Sequence, residues 1–146
     1  MQNNKVLFHV DPDTINEIFH DFLHKSPFNL KNSIKAMMKE YNYKEKELFY
    51  GQLVLELQAS YRNVKQSNYI YHNGNYYKIA ILKYRMQDLN SNSGKSSGWR
   101  VIALIDELNG IYYLLDLYKH SKGKDNLTNK ELTDVKAFCD EYAESL

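Results

Sequence analysis

The chain has 146 residues, 43% of them hydrophobic and 25% charged, with 19 basic side chains against 18 acidic ones. This length predicts a single domain over 1–146 that can bury a core without a disulfide or a metal, and this composition excludes disordered, collagen-like and fibrous chains. One cysteine, Cys139, excludes a disulfide framework and an all-cysteine metal site. With no apolar run long enough to span a bilayer and no signal-peptide core before Pro12, a soluble, cytoplasmic protein with no membrane partner is expected.

The net charge of +1 conceals a division. Residues 78–124 hold eight basic and four acidic side chains, and the rest of the chain holds eleven basic and fourteen acidic. A basic insert in a weakly acidic frame marks either a polyanion site or a solvated surface. Thirteen tyrosines favour a β-rich protein over a plain helical bundle.

Residues 5–10 read as a first strand. Asp11 suits a helix N-cap, Pro12 the first helical position, and Val10 a staple to Ile15. Ile15, Ile18, Phe19, Phe22 and Leu23 then recur at helical spacing. Pro27 separates a second helix, capped by Asn29, with Leu30, Ile34, Met37, Met38 and Tyr41 as its buried stripe. Residues 43–68 stay open between two readings: Leu53, Leu55 and Leu57 alternate as in a strand, whereas the preceding KEKELFYGQ suits a helix. Asn73-Gly74, between YIYH and the run 75–86, signals a hairpin. Residues 87–98, rich in Asn, Ser and Gly, read as a loop. Two strands follow at 99–106 and 111–118, joined by a turn at Asn109-Gly110. A last helix opens on the capping box Thr128/Glu131, with Leu127 stapling to Leu132 and an apolar face of Leu132, Val135, Phe138 or Cys139, and Tyr142. The expected architecture is α+β: an N-terminal strand and two helices, a twisted antiparallel β-sheet and a C-terminal helix.

The register of the last hairpin follows from sorting its side chains, because a one-residue slip turns a strand over. An even-length loop mixes charged and apolar residues on both faces. A three-residue loop, Leu108-Asn109-Gly110, with Gly110 left-handed in a bulge, gathers Trp99, Val101, Ala103, Ile105, Tyr113, Leu115 and Leu117 on one face. Arg100, Ile102, Leu104, Asp106, Asp116, Tyr118 and His120 then share the other. This predicts Arg100, Asp116, Tyr118 and His120 on an open sheet face, with Lys83 and Arg85 from the neighbouring strand.

Four pieces stand in series over residues 76–135: Lys83-Tyr84-Arg85, Gly94-Lys95-Ser96-Ser97-Gly98-Trp99-Arg100, Tyr118-Lys119-His120, and Asn126-Leu127-Thr128 to Glu131. In this order they resemble the RelE/ParE-type toxins of bacterial type II toxin–antitoxin pairs, above all the larger RelE/HigB-like members. Residues 43–75 are longer than the compact members need. The resemblance implies a RelE-like fold and a metal-independent endoribonuclease, without cofactor, that cuts mRNA on the ribosome and is silenced by a cognate antitoxin. The chemistry would be attack of a ribose 2′-hydroxyl on the adjacent phosphate, which needs a base, cations for the extra phosphate charge, and an acid for the leaving 5′-oxygen.

Carried over position by position, the resemblance makes Arg100 a phosphate clamp and assigns Lys83 and Arg85 to the scissile phosphate. Tyr118 would stack on a base or assist proton transfer. In many relatives the histidine directly follows this tyrosine; here Lys119 stands there and His120 comes one later. The general acid is therefore open between Lys119 and His120. Lys95, Trp99, Lys122 and Lys124 become RNA contacts.

Plainer roles stand beside these. Arg100 could pair with Asp116 or Asp106 across the hairpin, Tyr118 could be an ordinary sheet tyrosine, and His120 an exposed loop residue. The predicted register puts Trp99 on the buried face, and Lys122 and Lys124 suit solvent. His20 and His24 have zinc-compatible spacing, but with no third ligand and no HExxH motif no metal is expected. Other functional classes are a ParE-like gyrase poison, against which the basic cluster argues, and a catalytically inactive binding protein of the same fold.

Overall fold

The computed structural model describes residues 5–22, 26–62, 68–86, 98–119 and 127–146. In chain order the elements are β1 (Leu7–His9), α1 (Pro12–Ile18), α2 (Leu30–Glu40), α3 (Lys46–Arg62), β2 (Tyr69–His72), β3 (Ile79–Met86), β4 (Trp99–Asp106), β5 (Ile111–Lys119) and α4 (Asn129–Glu144). The five strands form one sheet in the order β1-β5-β4-β3-β2. β2 to β5 are antiparallel neighbours, and β1 joins the outer side of β5 in parallel, so the sheet is mixed. The α+β class holds, with one parallel pair and one helix beyond the expected set.

Local signals account for the helix ends. Asp11 accepts a hydrogen bond from the Asp13 amide and precedes Pro12 at the first helical position of α1. Helix α1 is shorter than its apolar spacing implies: it ends at Ile18, and Phe19 and Phe22 belong to the turn that follows. Leu23 lies outside the described residues. Asn29 caps α2 through the Asn32 amide. At α4, Thr128 Oγ1 accepts from the Glu131 amide, while the Glu131 carboxylate accepts from the Thr128 amide. This is the predicted capping box, with both donors satisfied.

The open segment resolves into α3. Phe49, Leu53 and Leu57, spaced by four, are fully buried, while Leu55 points to solvent at 62% exposure. The alternation of leucines was thus half of a helical stripe. Ring contacts place this helix on one face of the sheet: Tyr61 meets Phe8 at 5.9 Å and Tyr112 at 6.1 Å. On the opposite face, Phe19 packs against Tyr113 and Phe138, each at 4.8 Å, so the end of α1 and the body of α4 share that side. Cys139 of α4 is buried there, its thiol 3.8 Å from the Ile79 carbonyl oxygen.

Because β1 pairs only with Ile111–Tyr113, no strand among the described residues lies outside the rest of β5, and α2 lies along it. Ser33 in its first half reaches Asp116. At its end Glu40 pairs with Lys119, and Tyr41 accepts the Trp99 indole hydrogen bond at 2.8 Å.

The hairpins depart from their expected turns. Asn73 and Gly74 do open the β2–β3 connection, but it runs to Ile79, and Asn73 Oδ1 accepts from the amides of Asn75 and Tyr76. Between β4 and β5, Asp106 faces Ile111, which leaves a four-residue connection rather than three. Gly110 has φ of 68°, and a Cβ there would lie 3.3 Å from the Lys5 carbonyl oxygen. The odd residue sits instead within the strand. Ile102 faces Asp116 and Ala103 faces Leu114, so β5 bulges at Leu115.

Candidate functional site

The bulge decides which side chains share a face, since an extra residue reverses the alternation beyond it. On the turn side of the bulge, Tyr113 shares a face with Leu104, and Tyr112 with Ile105. This reverses the expected placement of Tyr113 beside Ile105. Beyond the bulge, Asp116 is opposite Ile102 and Tyr118 opposite Arg100, as expected. The β3–β4 register adds Lys83 opposite Ile102 and Arg85 opposite Arg100. Two adjacent rows of one face therefore read Lys83–Ile102–Asp116 and Arg85–Arg100–Tyr118.

The face is not open as expected. Arg100 is only 4% exposed, Ile102 is fully buried and Asp116 is 7% exposed. Lys83 and Tyr118 are partly buried, and Arg85 reaches solvent. Part of the cover is α2, whose Ser33 hydroxyl donates to Asp116 Oδ1 at 2.6 Å. Three cations and one carboxylate thus share these two rows among the described residues. Two of them, Arg85 and Arg100, are direct cross-strand partners, and like charges at such positions cost stability.

Two other predicted site residues, Lys119 and Trp99, lie on the reverse face. Lys119 is opposite Trp99 on the reverse face and pairs with Glu40 of α2. Trp99 is 4% exposed and donates its indole N–H to Tyr41. Its ring is core at the β5–α2 seam, and the face that gathers the arginines holds neither residue. Lys95, His120, Lys122, Lys124 and the Gly94–Ser97 turn lie outside the described residues, as does His24. His20 contacts its own helix end, with Nδ1 2.7 Å from the Glu17 carbonyl oxygen and Nε2 2.9 Å from Asp21. Among the described residues no three His, Cys, Asp or Glu side chains gather as a metal site would require.

Asp116 and Ser33 were not among the predicted site residues. A lone acid in the apolar run IYYLLDLY is a usable signal for Asp116. Nothing local marks Ser33, which is brought to the sheet only by the packing of α2. Among the described residues, the titration shifts of His9 and Tyr142 lie away from this face's cationic end. Burial lowers His9, and burial with a hydrogen bond to Asp106 raises the Tyr142 phenol. His9 stacks on Tyr113 with ring centres 5.2 Å apart.

Chemically, the two rows offer guanidinium and ammonium donors for an anion, a phenol beside them, and a carboxylate behind them. That set suits an oxyanion or phosphodiester better than a neutral ligand. Set against known protein families and curated proteins, the sequence matches no family model and no curated relative.

Proposed function

We propose that the chain is a toxin endoribonuclease with a RelE-like fold, of the RelE/HigB type, that cleaves mRNA on the ribosome and is held inactive by a cognate antitoxin. The observation that carries this is the Arg85–Arg100–Tyr118 row with Lys83 beside it. Residues from three strands converge on one face, and the opposed arginines make little sense for stability alone. The element order, a strand and helices before an antiparallel meander and a final capped helix, also fits the resemblance.

In this reading the guanidinium of Arg85, at the surface, grips the phosphate that follows the cleaved ribose. Arg100 stands behind it, where low exposure strengthens its field at the phosphate. Lys83 adds charge against the extra negative charge of the pentavalent transition state. The 2′-oxygen bonds to phosphorus as its proton goes to a base, and the bond to the 5′-oxygen breaks as an acid protonates it. The products are a 2′,3′-cyclic phosphate and a free 5′-hydroxyl, and the step needs no metal or cofactor. Tyr118, in the row of the two arginines, can carry a proton or stack on a base.

The test is induced expression in cells with primer extension on an abundant messenger, comparing wild type with Arg85→Ala and Arg100→Ala. Growth arrest with new 5′ ends inside reading frames, reduced about 100-fold or more in both variants, is expected. Because Arg85 is exposed, its variant tests the chemistry without loading the core. Arrest with intact messages would favour a gyrase-type protein target. No arrest would favour an inactive binding protein of the same fold.

A further inference from the structure

We infer that Asp116 is a positioning residue of the cationic site, held by Ser33 so that its carboxylate orients the Arg100 guanidinium toward a bound phosphodiester. This rests on the phosphate-binding reading above and adds to it a residue that holds the arginine rather than touching the substrate.

Three observations carry it. First, the bulge at Leu115 re-aims the end of β5. With unbroken alternation Asp116 would share a face with Tyr112 and Leu114, against α3; the bulge brings it instead to the face of Arg100 and Lys83. Bulges recur beside active sites for this kind of re-aiming. Second, Asp116 is 7% exposed, and burial of a carboxylate is costly unless partners hold it. Ser33 supplies one from α2, at 2.6 Å, across the outer edge of β5. A hydroxyl fixes the orientation of the carboxylate without neutralising its charge. Third, Asp116 is the diagonal cross-strand neighbour of Arg100, next to Tyr118, and it shares its row with Lys83. Diagonal positions have Cβ atoms about 7–8 Å apart, within reach of an arginine side chain. One edge of a planar guanidinium turned to a fixed carboxylate leaves the opposite edge presented to a phosphate.

Simple charge counting and positioning predict opposite signs for the same substitution. Removing a negative charge beside a polyanion site tightens binding by Coulomb attraction alone. If Asp116 sets the guanidinium geometry, its removal loosens binding although the site becomes more positive. The probe is a fluorescently labelled 2′-deoxy oligonucleotide, which lacks the attacking hydroxyl and cannot be cleaved by this route. Its affinity is measured by anisotropy at fixed salt for wild type, Asp116→Asn and Ser33→Ala, with thermal midpoints beside it.

The expected result is weakening of about tenfold for Asp116→Asn, by analogy with loss of an outer-shell orienting group. A smaller weakening is expected for Ser33→Ala, which changes no charge and keeps the inference testable if Asp116→Asn does not fold. Tightening by Asp116→Asn, or unchanged affinity in both variants, overturns the inference, as does absence of any wild-type binding. The two readings separate in the outcome. Wild-type binding that depends on Asp116, in a protein that cuts no RNA, removes the toxin reading alone. RNA cleavage together with tighter binding by Asp116→Asn removes this inference alone.

Discussion

Two aspartates stand on the same face of one sheet and are held in different ways. Asp106, at the turn end, is fully buried and saturated: Tyr142 donates its hydroxyl, and Asn109 donates both its amide and its side-chain N–H, at 2.9 and 2.8 Å. It ties α4 to the β4–β5 connection, in a wall of rings formed by Phe19, Tyr113, Phe138 and Tyr142. Asp116, at the other end, shares its end of the face with Lys83, Arg85 and Arg100 and is held by a serine from another layer. One end of the face spends its polar groups on docking a helix. The other gathers like charges, which a fold built for stability alone would avoid.

The largest effect that would sharpen this contrast is at Asp106. Asp106→Ala leaves the buried Tyr142 hydroxyl without its carboxylate acceptor and frees the exposed Asn109 from the turn, and should cost about 2 kcal/mol in urea unfolding. Asp116→Asn should cost clearly less while acting on anion binding. Equal losses of stability at the two positions would break the distinction.

A middle-sized effect appears in alkali, through the α4 docking. Burial pushes the Cys139 thiol from 9.0 to about 12, and the hydrogen bond to Asp140 raises the Tyr71 phenol from 10.0 to about 12. Both are raised, so the neutral forms belong to the folded state. Their contribution is fully present below pH 9 and is lost as pH rises toward about 12. The urea midpoint should therefore fall across that window, and Cys139→Ala should flatten part of the fall. A midpoint independent of pH there would mean that the thiol and phenol are not held as described.

The smallest effect is expected at Lys119. Its partner Glu40 is on α2, both side chains are about one-third exposed, and it lies on the face away from Arg100. Lys119→Gln should change stability by less than about 1 kcal/mol and leave the proposed RNA cleavage within about threefold of wild type. A loss comparable to Arg85→Ala would return Lys119 to the chemistry.

Much of the fold was legible because it is written locally. β4 matches its predicted limits, an apolar run between Gly-rich and Asn-Gly signals. The caps at Asp11, Asn29 and Thr128 each satisfy the helix amides expected of them. Leu53, Leu55 and Leu57 misled, because over five residues a helix and a strand can place leucines alike; only the burial of Phe49 with Leu53 and Leu57 separates them. In the site, the rows of Lys83, Arg85, Arg100 and Tyr118 followed from alternation and register. Ser33 did not, since a serine on a helix carries no mark of the strand it will meet.

By itself the sequence determined the α+β class, the starts of α1, α2 and α4, the β-meander and the company of Arg100, Asp116 and Tyr118, because capping and alternation act over a few residues. The tertiary structure decided the rest. It placed β1 parallel beside β5, set the odd residue of the last hairpin at Leu115 rather than in the turn, and laid α2 along the free edge of β5. These choices depend on which packing buries the most apolar surface while leaving a partner for each buried polar group, and that balance is struck between segments far apart in the chain.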